Sequence, residues 1–532
     1  MTGGELLTGG QIVARTLREL GADTIFSVSG NQVLPIYDAV QDVGVRIIHV
    51  RHESAAAYAA LGFAESTERP GVVLVSAGPG FLAAATGVAA VKSTELPLLF
   101  LSGATATTDA GAGGFQDLDQ AAVARVTCKA SLTAAAPADL CSVLTRAWEL
   151  ARAGVPGPVH VSLPIDVLRA TGRVDSKEPT QPPPVPAISG AEPTLAAMAD
   201  RLRHARRPLI IARPSANRGA AGRALWRLAR NLGIEPVITE CPRGQSDLKY
   251  RQVVGRYRES DCVLVIGPAD FAVGFLHESA IAATGTLLQI DAPDDPPPRR
   301  VPALHLQLPP GPALECLAEA TAGHRPQLGP WADLWSHRPI DEIEEHCSGE
   351  LHPLEVAEQA RRLLRADDVI VLDGGEYCQW IRLGLRDVPN RMLWNTKLGG
   401  IGGSIPTAVG LSAAGRGGRT IVFVGDGGFG YHASELETAV RYRLPIVVIV
   451  GNDARWGAEW HLQASRYGES RAYATTLLRA GYEQVARGLG AQGIQVSETA
   501  SLRNALVTAL SSSEPTCINV QIRSVKSPAV TH

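Results

Sequence analysis

The chain has 532 residues, 45% of them hydrophobic, and a formal net charge of −3. That length is too great for one ordinary core and fits about three domains, while the interspersed, nearly balanced charge excludes a basic nucleic-acid surface. No apolar run reaches the ~20 residues of a membrane helix, the N-terminus lacks a basic region followed by an apolar core, and eight scattered cysteines form no C-x-x-C pair, so a cytoplasmic protein without a disulfide or zinc framework is expected.

Residues 1–175 alternate short apolar runs with Ala/Leu-rich helical stretches, the pattern of a doubly wound parallel sheet. Val33-Leu34-Pro35-Ile36-Tyr37-Asp38 follows Ser29-Gly30-Asn31. The strand-like Arg46-Ile47-Ile48-His49-Val50 runs into Arg51-His52-Glu53, which opens a helix through Ala64. Gly71 to Val75 is a buried-strand pattern ending in the turn Ser76-Ala77-Gly78-Pro79-Gly80. Gly114-Phe115-Gln116-Asp117, then Val126-Thr127-Cys128-Lys129, precede the closing block Gly157 to Val167. Lys177 to Pro186 is Pro-rich and predicts a semi-rigid linker.

Residues 190–325 repeat the α/β alternation, with strands at Pro208-Ala212, Cys262-Ile266 and Thr286-Ile290. A polar connector follows. The last domain, 350–532, has strands at Val369-Leu372, Ile421-Val424, Ile446-Val450 and Cys517-Gln521. After its first strand comes Asp373-Gly374-Gly375-Glu376-Tyr377, then Leu398-Gly399-Gly400-Ile401-Gly402 before Pro406. The run Thr420 to Val424 ends in Gly425-Asp426-Gly427-Gly428, and a helix-like stretch with Ser434-Glu435-Leu436-Glu437 follows. A strand, a glycine loop and a helix present backbone N–H groups to a phosphate, and Asp426 adds the hard oxygen that Mg²⁺ prefers. Pro445 to Val450 then brings Asp453, in Gly451-Asn452-Asp453-Ala454-Arg455, to the same sheet edge. Taken singly, Gly-Asp-Gly is also a turn sequence, Glu53 also an early-helix acid favoured by the dipole, and Asp453 also an Asx-turn residue.

Together these blocks resemble the thiamin diphosphate (ThDP) enzymes, acetolactate synthase-like branch, over nearly the whole chain. The resemblance implies three α/β domains, each a doubly wound, mainly parallel sheet, in the order pyrimidine-binding, middle, diphosphate-binding. It implies ThDP and Mg²⁺ as cofactors and a homodimer or dimer of dimers, each site drawing its pyrimidine and diphosphate domains from different subunits. By the same resemblance Glu53 hydrogen-bonds the pyrimidine and favours its imino form, and Pro79 lies in the adjoining turn. Gly375, Tyr377, Gly399, Gly425, Gly427 and Gly428 line the diphosphate, and Ile401 props the cofactor into a bent shape. Asp426, Asp453 and the Arg455 carbonyl hold the metal. Gln116 and Asn31 border the reacting carbon.

The chain departs from the pattern at several places. Asp453 stands where most of the family has Asn, with Asn452 beside it, so a one-residue shift would exchange them. Asn31 falls in a Ser-Gly-Asn that replaces Pro-Gly-Gly, and Leu462, after Trp460 and His461, stands where the synthases carry a substrate-selecting Trp. Arg213-Pro214-Ser215-Ala216 breaks the glycine-rich turn at the nucleotide edge of the middle domain, which leaves FAD or ADP there open. The leading expectation is decarboxylation and carboligation of a 2-oxo acid. A 2-hydroxyacyl-CoA lyase or related CoA-ester enzyme is the alternative, and a non-catalytic paralogue acting as a structural partner is a third reading that Glu53, Asp426 and Asp453 argue against.

Overall fold

Short β-branched runs become parallel strands, and the Ala-rich stretches between them become helices that cover the sheets. The computed structural model describes residues 5–173, 188–239, 259–268, 285–298, 301–329 and 350–527, apart from 387, 395 and 416. The Pro-rich linker at 177–186 and most of the second connector lie outside these residues. The chain divides into two compact units: Met1–Arg152, Gly157–Glu178 and Cys347–Ser527 form the first, and Ala153–Pro156, Pro179–His346 and Pro528–His532 the second.

In the first unit β1 (Leu6–Thr8) pairs with β8 (Thr171–Arg173) as a small antiparallel ribbon. Between them run β2 (Thr24–Ser27), β3 (Arg46–His49), β4 (Gly71–Val75), β5 (Leu98–Ala104), β6 (Ala130–Thr133) and β7 (Pro158–Pro164). They form a parallel sheet in the order β3-β2-β4-β5-β7-β6. The second unit holds β9 (Pro208–Ala212), β10 (Val237–Ile238), β11 (Cys262–Ile266), β12 (Thr286–Asp291) and β13 (Leu304–Gln307), parallel in the order β10-β9-β11-β12-β13. The first unit also contains β14 (Val369–Leu372), β15 (Arg391–Trp394), β16 (Thr420–Gly425), β17 (Ile446–Asn452), β18 (Gln492–Val496) and β19 (Thr516–Gln521). These are parallel in the order β15-β14-β16-β17-β19-β18. Among the described residues no helix is long and apolar enough to cross a membrane.

Strand alternation sorts the side chains of the first unit into layers. Val73 and Val75 of β4 and Val422 and Val424 of β16 share one core. Val72 and Leu74 face a second core on the far side of the first sheet, and Ile421 and Phe423 a third beyond the other sheet. The shared core is built on two helices, Glu53–Thr67 and Ser404–Ala414. Both are apolar nearly all round, as helices buried on every side must be. They cross closely through glycine: a Cβ on Gly410 would lie 1.8 Å from the Ala59 carbonyl oxygen, and one on Gly62 2.1 Å from that of Thr407. Arg391 adds a charged tie, pairing with the buried Glu65 at the end of the first helix.

The crossing makes a stability prediction. Gly410→Ala should lower unfolding stability by at least about 2 kcal/mol, since a methyl forced into a filled contact shifts backbone rather than a flexible side chain. Gly488→Ala, at a helical position with open space around it, should change stability by less than about 1 kcal/mol. Denaturant unfolding of both variants checks this, and equal effects would show that the crossing tolerates a methyl.

Candidate active site

Every candidate residue in the first sheet follows the carboxyl end of a strand. Asn31 comes after β2, Glu53 after β3, Pro79 after β4 and Gln116 after β5. Asn31 begins a short 3₁₀ turn and is exposed. Its neighbour Gln32 is buried and joins the loops: its amide donates to Gln116 Oε1 at 2.8 Å, and its own Oε1 accepts from Ser76 Oγ at 2.6 Å. Gln116 is held at φ 60°, with its carbonyl against Gly78. Glu53 is the first residue of its helix and half-buried. Its Oε1 lies 3.5 Å from where a Cβ on Gly80 would stand, which places the carboxylate beside the Pro79 turn.

The sheet containing β14 to β19 repeats the arrangement. Gly375 follows β14, Gly399 and Ile401 follow β15, Asp426 follows β16 and Asp453 follows β17. Gly375 (φ 107°) and Gly399 (φ 72°) adopt left-handed backbone with open space where a Cβ would be, so only glycine fits without strain. The buried Asp373 carboxylate binds the two loops together, accepting from the N–H groups of Gly374 (2.8 Å), Gly402 (2.8 Å) and Ser404 (3.2 Å) and from Ser404 Oγ (2.6 Å). Tyr377 turns away from the loop. Its ring packs on Gly451, and its hydroxyl is buried without a hydrogen-bond partner. Glu376 is also buried, its carboxylate accepting from the Ser527 N–H.

The stretch Gly425 to Gly428 reads from sequence as a loop. The structure instead begins a short helix, Asp426–His432, at the aspartate itself. Asp426 Oδ1 accepts from the Gly427 N–H at 3.0 Å, and the Trp456 ring covers Gly427 so closely that a Cβ would meet it at 2.5 Å. The other oxygen, Oδ2, is buried and has no hydrogen-bond partner. Asp453 stands beside Asp426. Burial first, and then the adjacent Asp453 charge, raise the Asp426 carboxyl well above the ordinary range; burial raises Asp453 as well. Asn452 does a different job: buried, it donates to the carbonyl of Ala480 and to Asn519 Oδ1.

Arg455 faces Thr476 as an isolated antiparallel pair whose hydrogen bonds run through Trp456 to Thr475 and Leu477 to Ala454. In such a pair the intervening N–H and C=O both point away from the partner strand. The Arg455 N–H is directed at the two aspartates, so its carbonyl oxygen lies on that side. The arrangement suits a hard cation: two carboxylates that repel each other, an orphaned oxygen and a free-facing carbonyl. No group of three or more His, Cys, Asp or Glu side chains that could hold a metal occurs among the described residues, so further ligands would have to be backbone, bound phosphate or water. The Arg455 guanidinium stacks on Trp460 at 4.0 Å, and His461 Nε2 is 3.3 Å from Ser524 Oγ. Leu462 is half-buried in the same helix, Gly457–Tyr467.

Two residues near Glu53 escaped the sequence reading. Glu435 is fully buried and accepts from the Arg51 N–H at 3.0 Å and Thr438 Oγ1 at 2.7 Å; the His52 N–H also points to it. It thereby holds the entry of the Glu53 helix, and burial pushes its carboxyl up to about 7. The helical phase was a usable signal, because Glu435 shares a face with buried Thr438 and Ala439, three and four residues on. His432 is the second. Its Nδ1–H donates to the Gly402 carbonyl at 2.7 Å, and burial, which lowers its pKa, keeps the ring neutral, so Nε2 accepts from Ser54 Oγ at 2.8 Å. Ser54 in turn contacts His52 Nδ1 at 2.8 Å.

Comparison with known proteins matches residues 7–123 to the thiamine pyrophosphate enzyme N-terminal TPP binding domain and residues 373–520 to the C-terminal TPP binding domain. The chain is 30% identical to a probable acetolactate synthase of Mycobacterium bovis, over 97% of this chain and 96% of that one. It is 29% identical to the acetolactate synthase isozyme 3 large subunit of Escherichia coli, over 95% and 92%. It is also 27% identical to 2-hydroxyacyl-CoA lyase 2 of Danio rerio, over 91% and 86%.

Glu435 gives a pH prediction. A carboxyl whose folded pKa is raised destabilises the fold above about pH 7, and that loss disappears as the pH falls towards the unfolded value near 4.5. Compared with Glu435→Gln, the wild type should therefore gain stability from about pH 8 to about pH 5, by up to about 3 kcal/mol at ~1.4 kcal/mol per pKa unit. Unfolding both proteins across that range measures the difference. A constant gap would mean that Glu435 stays ionised in the fold.

Proposed function

The chain belongs to the thiamine pyrophosphate enzymes and is related to acetolactate synthases and 2-hydroxyacyl-CoA lyases; we propose that it is a Mg²⁺- and ThDP-dependent decarboxylase and carboligase acting on a 2-oxo acid. The observation that carries the metal-dependent part is Asp426, with one buried oxygen lacking any donor beside the Asp453 carboxylate. ThDP, when bound, supplies the electron sink that lets a bond next to a carbonyl break and re-form. Asp426, Asp453 and the Arg455 carbonyl would hold Mg²⁺. The backbone of Gly375, Gly399, Gly425, Gly427 and Gly428 would accommodate the diphosphate, and Ile401 would pack against the bound cofactor and hold it in place. Of the Asp373 to Tyr377 loop only the backbone is assigned to the cofactor, since the Tyr377 side chain is buried elsewhere.

Glu53 holds the proton at the pyrimidine ring, and its position at a helix start fixed by Glu435 supports that role. Gln116 and Asn31 face the substrate, the Gln32 bridge orienting Gln116. The functional assembly is a homodimer or a dimer of dimers, in which the Glu53 edge of one chain meets the Asp426 edge of another. Domain limits near 175, 190, 325 and 350 follow the sequence reading. The 27% identity to a 2-hydroxyacyl-CoA lyase favours a second reading, cleavage of a 2-hydroxyacyl-CoA ester by the same residues.

The metal assignment predicts that Asp426→Ala loses Mg²⁺-dependent ThDP binding while the fold persists. Calorimetric titration with and without chelator should show wild-type affinity falling at least about tenfold on chelation, ~1.4 kcal/mol, with no chelator effect in the variant. A chelator-insensitive wild type would sink the assignment.

The substrate reading predicts slow self-condensation of pyruvate. Asn31 is exposed in the chain; once substrate covers it, an amide left unpaired discriminates more strongly than the about 1–3 kcal/mol of a changed apolar contact, so Asn31 should weigh more than Leu462. A competition assay would offer the holoenzyme pyruvate, longer 2-oxo acids, aldehydes and 2-hydroxyacyl-CoA esters. Another donor or acceptor should win. Fastest acetolactate formation from pyruvate alone would make the enzyme an ordinary synthase, and preference for the CoA ester would establish the second reading.

A further inference from the structure

In the second unit β9 leads outward to β10 and β11 leads the other way to β12, so the winding reverses between β9 and β11. The carboxyl ends at such a reversal are where open α/β sheets take a ligand. Here Arg213 follows the last residue of β9 and Gly267 that of β11. Arg213 is 3% exposed. Its N–H donates to the Ile266 carbonyl at 3.0 Å, linking the two strand ends. Its side chain lies over Gly267, where a Cβ would come within 3.0 Å of Cδ and 3.1 Å of the Arg213 Cβ. The guanidinium forms a buried ion pair with Asp295, whose carboxylate also accepts the Ala292 N–H at 2.8 Å.

A dinucleotide or ADP group needs the opposite features here: small residues that let backbone approach the phosphates, and donors with charge to offer. Arg213 fills that approach, and its charge is already neutralised. A second buried carboxylate lies on the same edge. Asp291 ends β12, accepts from Gln289 Nε2 and contacts His305 Nε2, and it feels the Asp295 charge. With Asp295 paired to Arg213, Asp291 leaves this edge a net negative charge and, among the described residues, no free cation to offer a phosphate. The described residues therefore do not fit the flavin or ADP that the resemblance leaves open.

We infer that the Arg213–Asp295 pair plugs the ligand edge of the middle sheet, so that this protein carries neither FAD nor ADP there. The inference is independent of the donor and acceptor proposed above. The first test uses the purified full chain, reloaded with ThDP and Mg²⁺. Absorbance near 450 nm and mass spectrometry of the denatured supernatant should find no FAD or ADP, and calorimetric titration with each should show no saturable binding. Stoichiometric FAD or ADP in the wild type, or saturation at one per chain, would overturn it whatever the variants do. The second test is Asp295→Asn, which removes the negative charge paired with the guanidinium. It should bind ADP at least tenfold more tightly than wild type, and a folded variant with unchanged ADP affinity would show that the pair is not what closes the edge.

Discussion

The first unit depends on two buried helices touching backbone to backbone. Gly62 and Gly410 lie at reciprocal positions on the crossing, each facing a carbonyl of the other helix. Alanine-rich faces keep the rest of the contact thin, so both sheets close on a single core. The same geometry determines where the chemistry can go. Glu53 begins one of these helices, and the Gly399 to Gly403 loop leads into the other. A shift of the crossing would displace both.

The parallel sheets account for how much of the site was legible. In a parallel sheet all strands end on the same side, so residues hundreds of positions apart fall on one edge if each follows a strand. Asn31, Glu53, Pro79 and Gln116 obeyed that rule, as did Gly375, Ile401, Asp426 and Asp453. The strand cores were readable as β-branched runs, and their observed ends lie within a residue or two of the sequence expectation. The helix beginning at Asp426 was not readable, because three glycines within five positions look like a loop. Trp456 packed over Gly427 makes the helix possible, and that contact is between residues distant in sequence.

The residues that sequence missed share a physical character. Glu435, Asp373 and His432 act by accepting or donating hydrogen bonds to backbone in other segments. Such roles leave no local motif. Each is a buried polar side chain whose only signal is its unfavourable placement among apolar neighbours. Tyr377 is the converse case. It sits next to a candidate cofactor loop in sequence, but its helix points it into the core.

The electrostatics of the Asp426–Asp453 edge set this site apart from the rest of the fold. Several other buried carboxylates of the first unit have local partners: Asp368 pairs with Arg419, Glu65 pairs with Arg391, and Asp373 accepts four hydrogen bonds. At Asp426 and Asp453 the chain places two carboxylates side by side, and the Ser524 hydroxyl, the Gly427 and Arg455 N–H groups and the Arg455 charge do not offset their burial. The Asp453 carboxylate puts a second negative charge beside Asp426, whose Oδ2 has no hydrogen-bond partner. A fold under selection for stability alone would not keep such a pair. Two buried carboxylates side by side are a local sacrifice of stability, of the kind expected where a ligand completes the structure. A cation bound there would remove the repulsion, fill the vacant acceptor and stabilise the folded chain in one step.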